Sequence, residues 1–400
     1  VRILFIHQNM PAQFKHLAPA LAREGHEVLF LTQREDRELP GVRRFTYRKP
    51  ANKISTTHGY IRRFEEAVWT GQQVARACLQ LKRRGLEPDL VIAHPGWGES
   101  LFVKDVFPTT SIISFCEFYY RGSGSDVGFD PEFPTSLDDV ARARARNAHL
   151  LLALEAADAG LSPTLWQRNQ HPRDSHSKIS VIFDGIDTDV VKPRPGAAFQ
   201  LPNGRVLTSG DEVVTFVARN LEPYRGYHNF IRALPRLLSE RPKASVIVVG
   251  GDDVSYGRRA PNGLSWREHL GSGIEYDVSR VHHLGYVPYR EYLNLLSISS
   301  LHVYLTVPFV LSWSFFEALS SGCLVLASDS PPVREVLVSA ENGLLCNFFS
   351  PDDISEKASI ALKERDNFQN IRANARDTIV QNYSLKQCLP QQIGLVNRFF

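Results

Sequence analysis

Short apolar runs and amphipathic stretches alternate along almost the whole chain. The opening VRILFI is nearly continuously apolar, as expected of a central parallel strand covered on both faces. A loop, HQNMPAQF, follows it. A helix from Lys15 to Gly25 comes next, with Leu17 and Leu21 at helical spacing, and Gly25 ends it before the strand EVLFLT. The same rhythm predicts a long helix near Arg63 to Arg84, strands DLVIAH and SIISFCEFYY, an Ala- and Leu-rich helix before Ala159 and a strand ISVIFDGID. At VVKPRPG two prolines and a glycine can continue neither a helix nor a central strand, which predicts an interdomain linker over 191–204. A second series then brings strands EVVTFVARN, ASVIVVGG, VHHLGYV, LHVYLT, CLVLAS and GLLCNF. Between them lie helices starting near Tyr227, in YREYLNLLSIS, in WSFFEALSSG and in PPVREVLVS, while 252–281 reads as a surface excursion. Ser350-Pro351 supplies an N-cap and a first-turn proline for the last long helix.

This pattern predicts an α/β protein with two Rossmann-like, doubly wound parallel sheets facing a cleft. The expected domains are 1–190 and 205–377, with a helical segment, 378–400, packing back toward the first. A length of 400 residues accommodates both, since domains run to roughly 100 to 200 residues. In such sheets ligands bind beyond the carboxyl ends of the strands.

Composition narrows the function classes. The formal net charge is only +3, with 22% charged and 10% aromatic residues, which is ordinary for a globular enzyme and makes no case for nucleic acid. Basic clusters at Arg43-Arg44, Arg62-Arg63 and Lys82-Arg83-Arg84 have acidic neighbours and read as solvated helix faces. The first of them is kept as a weak handle for an anionic membrane surface, a peripheral contact. Five cysteines, widely spaced and without a C-x-x-C pair, read as reduced core residues. The first residues lack a charged leader and cleavage site, and no apolar run is long enough to span a bilayer, so the expected location is cytoplasmic, peripheral to the inner membrane face at most.

The most specific chemistry lies in the second half. The segment V-A-R219-N-L-E-P-Y-R225-G226 resembles the arginine-to-basic-glycine motif of the retaining glycosyltransferases of the GT-B fold, family 4 (glycosyl transferases group 1). The resemblance implies that Arg219 and Arg225 grip the diphosphate of a nucleotide sugar, Arg225 standing where the family has Lys and keeping its charge. Fixed positive charge there stabilises the departing oxygens as the sugar carbon becomes cationic. P-F309-V-L-S312-W313-S314-F-F-E317 resembles the family's E-x7-E region. Glu317 then holds the ribose hydroxyls. Ser314 to Glu317 also fits a capping box, which leaves a structural reading open. Phe309 occupies the position of the first Glu, so the usual contact to donor-sugar hydroxyls is missing. Gly226, Gly250 in the βα turn G-G-D-D, and backbone around Tyr286 complete the donor set that the resemblance implies.

In the first half, H94-P-G-W-G-E places a histidine at a strand end, where family members contact the donor sugar near the reaction centre. Glu117, closing the next strand, is a candidate to orient an acceptor hydroxyl. Gln8, Asn9 and Gln13 stand where many relatives have Gly-Gly, and Arg121 opens a Gly-rich loop; these four are acceptor-side candidates. Asp187-Thr-Asp189 mimics a metal-binding D-x-D but sits beside the linker, and His282-His283 on a strand point to opposite faces. No metal and no cofactor is expected beyond the nucleotide sugar as co-substrate. The implied activity moves a hexose-type sugar to a glycan, a lipid-linked saccharide or a small molecule. A sugar-nucleotide 2-epimerase on the same fold and a non-enzymatic sugar-binding protein remain alternatives.

Overall fold

The computed structural model describes residues 1–49 and 58–400. The chain divides into two compact units, Val1–Gly185 with Lys386–Phe400, and Ile186–Leu385. In the first, seven strands form one parallel sheet: β1 (Arg2–Ile6), β2 (Glu27–Thr32), β3 (Val42–Thr46), β4 (Leu90–Ala93), β5 (Ser111–Phe115), β6 (Ala159–Ser162) and β7 (Ile179–Val181). Their order across the sheet is β3-β2-β1-β4-β5-β6-β7. The apolar opening of the chain is explained by this position. Ile3 and Phe5 of β1 pack on one side with Phe14, Phe30 and Ile113, while Leu4 and Ile6 pack on the other with Leu29, Val74 and Cys78. Leu395 and Val396 of the final helix join the first of these cores. The loop after β1 turns through a short 3-10 segment before the helix Leu17–Arg23, later than the helix expected from Lys15.

The second unit opens with a small antiparallel pair, β8 (Ala198–Gln200) and β9 (Val206–Thr208). Its main sheet contains β10 (Val213–Asn220), β11 (Ser245–Gly251), β12 (Val281–His283), β13 (Leu301–Tyr304), β14 (Val325–Ser328) and β15 (Leu344–Cys346), ordered β12-β11-β10-β13-β14-β15 and parallel throughout. Both sheets are therefore wound outward in two directions from a central strand, β1 or β10, and each reverses strand order beside it. In doubly wound sheets ligands bind at the βα loops beside such a reversal, because the connections leave it toward opposite faces.

Three expectations need correction. The segment 191–204 is part of the second unit: Val191 is buried, its carbonyl accepts hydrogen bonds from Ser320 Oγ at 2.6 Å and Arg376 Nη1 at 3.2 Å, and Phe199 and Leu201 enter the core. The division falls instead at Gly185, since Ile186 exchanges backbone hydrogen bonds with Tyr383 and Leu385. For the same reason, only Lys386–Phe400 of the expected C-terminal segment belongs to the first unit. Arg43 and Arg44 lie on an edge strand, β3, and not on a helix; Arg43 pairs with Glu27 at 2.7 Å. The five cysteines are all free and buried. Among the described residues no helix is long and apolar enough to cross a membrane.

One glycine is required by geometry. Gly226 has a φ of 66°, and a Cβ there would lie 2.3 Å from Leu305 Cβ. Gly226→Ala is expected to cost about 3 kcal/mol, from left-handed strain plus overpacking. A urea midpoint should fall accordingly, whereas Gly273→Ala, in open space, should leave it unchanged.

Candidate functional site

In the first unit the strand reversal lies between β1 and β4, and the residues following these strands are His7 and His94. Both imidazoles are buried, with ring centroids 4.8 Å apart. His94 is sandwiched between the exposed Trp97, at 5.1 Å, and Phe115 of β5, at 5.5 Å. The Gly96 N–H donates to His94 Nδ1 at 3.1 Å, so the neutral ring carries its proton on Nε2, which faces Glu117 Oε2 at 3.3 Å. Gln13 Nε2 donates to the other Glu117 oxygen at 2.7 Å, and Gln167 Nε2 donates to the Glu117 carbonyl at 2.6 Å. The sequence-predicted His94, Glu117 and Gln13 thus form one connected group.

Electrostatics sharpen this group. Burial alone would lower the His94 pKa, but the Glu117 hydrogen bond and charge, with Glu99 and Asp184, outweigh it and hold the value above the ordinary one. His7 goes the other way: burial, then His94 nearby, push it well below. The pair therefore has one imidazole that favours its proton and one that resists it. Glu99 is wholly buried, accepts the Trp97 N–H at 3.0 Å, and is pushed up to about 7 by desolvation.

The remaining acceptor-side candidates are more dispersed. Gln8 is half-buried, its carbonyl receiving Thr32 Oγ1 and the Gln33 N–H, and Asn9 is exposed, its N–H donating to His7 Nδ1 at 2.8 Å. Arg121 lies elsewhere in the unit, donating to the His171 carbonyl at 3.2 Å and covering the Tyr119 ring.

In the second unit the reversal lies between β10 and β13. Arg219, near the end of β10, is exposed. Arg225 is only 6% exposed, with Nη1 at 2.9 Å from Thr306 Oγ1, 3.1 Å from the Val310 carbonyl and 3.3 Å from Tyr304 Oη. Its guanidinium also lies 5.4 Å from the Tyr256 ring and 5.6 Å from Phe309. Burial would lower its pKa, yet Tyr304, Tyr256 and Glu222 keep it raised, so the charge is secure. Phe309, at the place of the absent carboxylate, is packed edge-on against Tyr224 at 5.1 Å.

Glu317 is not a helix cap. The N-cap of Trp313–Ser320 is Ser312, whose Oγ pairs with Ser314 Oγ at 2.8 Å. Ser312 receives no capping proton from the helix; its own N–H donates to Tyr304 Oη at 3.0 Å. The buried Glu317 carboxylate accepts one bond from Tyr289 Oη, at 2.7 Å, and one from Tyr292 Oη, at 2.9 Å. Trp313 is half-buried at the start of this helix. Gly250 has a φ of 156°, and a Cβ there would meet the Ala218 carbonyl at 2.6 Å, so β10 and the end of β11 approach this closely because it is glycine. Tyr286 is 72% exposed and tethered through its hydroxyl to Asn220 Oδ1 at 3.2 Å.

Sequence reading missed several partners: His7, Trp97 and Glu99 in the first unit, and Glu222, Tyr256, Tyr289, Tyr292, Tyr304 and Thr306 in the second. Only Tyr289 and Tyr292 had a readable signal, an i, i+3 pair on one helix face. The Asp187 carboxylate accepts the Asp189 and Val190 N–H groups at 3.2 and 3.3 Å, which makes D-x-D a turn. His283 bonds Tyr227 Oη at 2.9 Å. Among the described residues no three His, Cys, Asp or Glu side chains gather as metal ligands would.

Comparison with known proteins fits this layout. The family described as "Glycosyl transferase family 4 group" matches residues 24–191, and "Glycosyl transferases group 1" matches residues 202–378. An uncharacterized glycosyltransferase of Methanocaldococcus jannaschii, MJ1069, is 28% identical over 189 residues, 46% of this chain and 44% of that protein. The match thus spans less than half of that relative's length. Sucrose-phosphate synthase from Thermosynechococcus elongatus superposes with a TM-score of 0.75 at 16% identity, over 100% of this chain and 99% of that one. Anabaena HepE, solved with UDP and glucose, gives 0.67 at 16% identity, over 99% of each chain.

Glu99 makes a pH-dependent prediction. Its folded pKa is raised, so the folded state holds the extra proton between about 4.5 and 7; stability from this group is full below that window and is lost as pH rises through about 7. Glu99→Gln keeps an acceptor for Trp97 N–H and cannot ionise. Relative to wild type, it should be neutral at pH 4.5 and more stable at pH 8, by about 3 kcal/mol at most. Parallel urea melts of the two proteins across this range would show curves that diverge with pH; curves that stay parallel would disprove the buried, protonatable Glu99.

Proposed function

The chain belongs to the family 4, group 1 glycosyltransferases of the GT-B fold, and on that premise we propose that it transfers a hexose-type sugar from a nucleoside diphosphate sugar to a hydroxyl group, with retention of anomeric configuration. The acceptor is proposed to be a glycan, a lipid-linked saccharide or a small molecule. The observation that carries this reading is the arginine pair at the strand reversal of the second unit, one exposed and one held rigidly by Tyr304, Thr306 and the Val310 carbonyl. Pre-oriented cations stabilise charge as it develops, without reorganisation at the moment of reaction. The complexes of HepE with UDP and with UDP-glucose favour a nucleoside diphosphate as the common ligand.

In the proposed reaction the bond from the anomeric carbon to the β-phosphate oxygen breaks, and the acceptor oxygen bonds that carbon from the same face. The acceptor proton passes to the departing phosphate oxygen, so neither a carboxylate nucleophile nor a metal is called on. His94 is assigned to the donor sugar, with Glu117 and Gln13 orienting the acceptor hydroxyl; the hydrogen bonds linking them support a shared role. Arg121, Gln8 and Asn9 are assigned to the periphery of the acceptor. Glu317 is assigned to the ribose diol, which would replace the Tyr289 and Tyr292 hydroxyls as its donors. The location is proposed as cytoplasmic, with weak contact at the inner membrane face.

Arg219→Ala should weaken binding of the nucleoside diphosphate about tenfold or more, since it removes a charge-assisted bond from an exposed position with little effect on folding. Arg225→Lys keeps the charge but loses the fork, and should lower turnover with the fold intact. Isothermal titration and product assays in EDTA test both, with turnover expected to persist in the chelator. Unaltered kinetics in both variants, or activity restored only by a divalent ion, would overturn the assignment.

Glu317→Gln should bind the nucleotide more weakly and discriminate less against its 2′-deoxy analogue, while melting close to wild type. Full discrimination retained would move the ribose site elsewhere.

A further inference from the structure

Glu222 lies in the turn between β10 and the helix Tyr227–Glu240, between Arg219 and Arg225. Its side chain is fully buried; its hydrogen bonds come from backbone donors, while its charge also favours the nearby Arg225 guanidinium. Oε1 accepts the Ser255 N–H at 3.0 Å, and Oε2 accepts those of Tyr256 at 3.3 Å and Gly257 at 2.9 Å. Three consecutive N–H groups converging on one carboxylate fix a loop more firmly than neutral bonds do, because charge-assisted hydrogen bonds are the stronger class. A Cβ at position 257 would lie 3.2 Å from Glu222 Oε2, so glycine allows the chain this close. A second stitch runs from Asn220 Nδ2 to Ser255 Oγ at 2.7 Å.

The residue placed by these bonds is Tyr256. Its ring sits 4.9 Å from the Phe309 ring and 5.7 Å from Tyr224, with the Arg225 guanidinium 5.4 Å from its centroid. Arg225 is therefore held on one edge by Tyr304, Thr306 and Val310, and covered by aromatic rings carried on two separate loops. The Glu222 carbonyl also accepts the Arg225 N–H at 3.0 Å, so one residue anchors both the guanidinium's own turn and the loop above it.

We propose that Glu222 is a positioning residue for the anion site. Its carboxylate holds the 255–257 loop so that Tyr256 keeps the Arg225 guanidinium aligned for a diphosphate. The inference rests on the reading of Arg225 as a diphosphate ligand and adds the element that sets its orientation. Glu222 itself touches no phosphate, since both oxygens are taken and their negative charge would repel one.

The test uses the full chain with UDP, GDP and ADP as probes, and the matching monophosphates as controls. In Glu222→Ala, amide exchange at residues 255–257 should accelerate, and affinity for the bound diphosphate should fall about tenfold, the loss expected for a misplaced charge-assisted contact. Monophosphate affinity should change much less. Tyr256→Ala, which leaves the buried carboxylate and its bonds in place, should reproduce the diphosphate loss, and the double variant should be no worse than either single one. A freed loop with unchanged diphosphate-to-monophosphate preference, or additive losses in the double variant, would overturn the proposal. If the wild-type protein binds none of the three diphosphates, the donor-site reading itself fails, an outcome separate from both.

Discussion

Parallel strand pairing is the constraint on which the rest of the molecule depends. Parallel strands all end on the same edge of a sheet, and each must be followed by a crossover before the next begins. In both units the order therefore grows outward from β1 or β10 and reverses beside it. The reversal parts two neighbouring crossovers at the loops after β1 and β4, and after β10 and β13. His7 and His94 occupy that place in the first unit, and Arg219, Arg225 and Thr306 in the second. The chemistry follows the topology.

The same edge gathers many of the buried polar groups, although Thr215 and His302 bury a polar pair within the second sheet. Sheet interiors hold Ile, Leu, Val and Phe, whose burial drives folding but does no chemistry. At the strand ends, several buried polar groups have surroundings that set their state. Glu117 keeps His94 favourable to its proton, and desolvation keeps His7 from taking one. The tyrosine pair occupies Glu317, and burial with that carboxylate nearby pushes both phenols upward, so they remain donors. Arg225 keeps its charge inside the unit because hydroxyl and carbonyl oxygens surround Nη1 and aromatic rings cover the plane. The Arg225 arrangement needs no rearrangement to present its charge, which is what preorganisation requires, whereas the tyrosines on Glu317 would have to yield to a ribose.

Much of this was legible along the chain. Continuous apolar runs such as VRILFI and ASVIVVGG announce strands buried on both faces, and their alternation with amphipathic helices leaves little choice but doubly wound sheets. Arg219, Arg225, Glu317 and His94 could be singled out as candidates because their spacing resembles a family's motifs, and because Arg219 and His94 close apolar runs. What misled was local chemistry read without context. Ser314 to Glu317 has capping-box spacing, but the helix begins at Ser312, and the tyrosines of the preceding helix take the carboxylate. The prolines near 193 break regular structure without marking a boundary between units, because side-chain hydrogen bonds from Ser320 and Arg376 to the Val191 carbonyl tie this segment to the second unit.

By itself the sequence determined most of the strands and helices, their alternation and the fold class, because periodicity and apolar run length are properties of consecutive residues; the edge strand β3 and the antiparallel pair β8 and β9 were not legible in it. It also determined which side chains have the charge to hold a diphosphate. Only the tertiary structure decided what those side chains meet. Glu222 and Gly257 are thirty-five positions apart, Glu317 and Tyr289 twenty-eight, and Arg225 and Thr306 eighty-one. No pattern along the chain encodes such pairs, since they arise from the register of the sheet and the path of the loops over its edge. Burial decided the protonation preferences of His7 and Glu99, and a neighbouring carboxylate, Glu117, overrode it at His94. Desolvation is a property of the packed molecule, and no residue carries it alone.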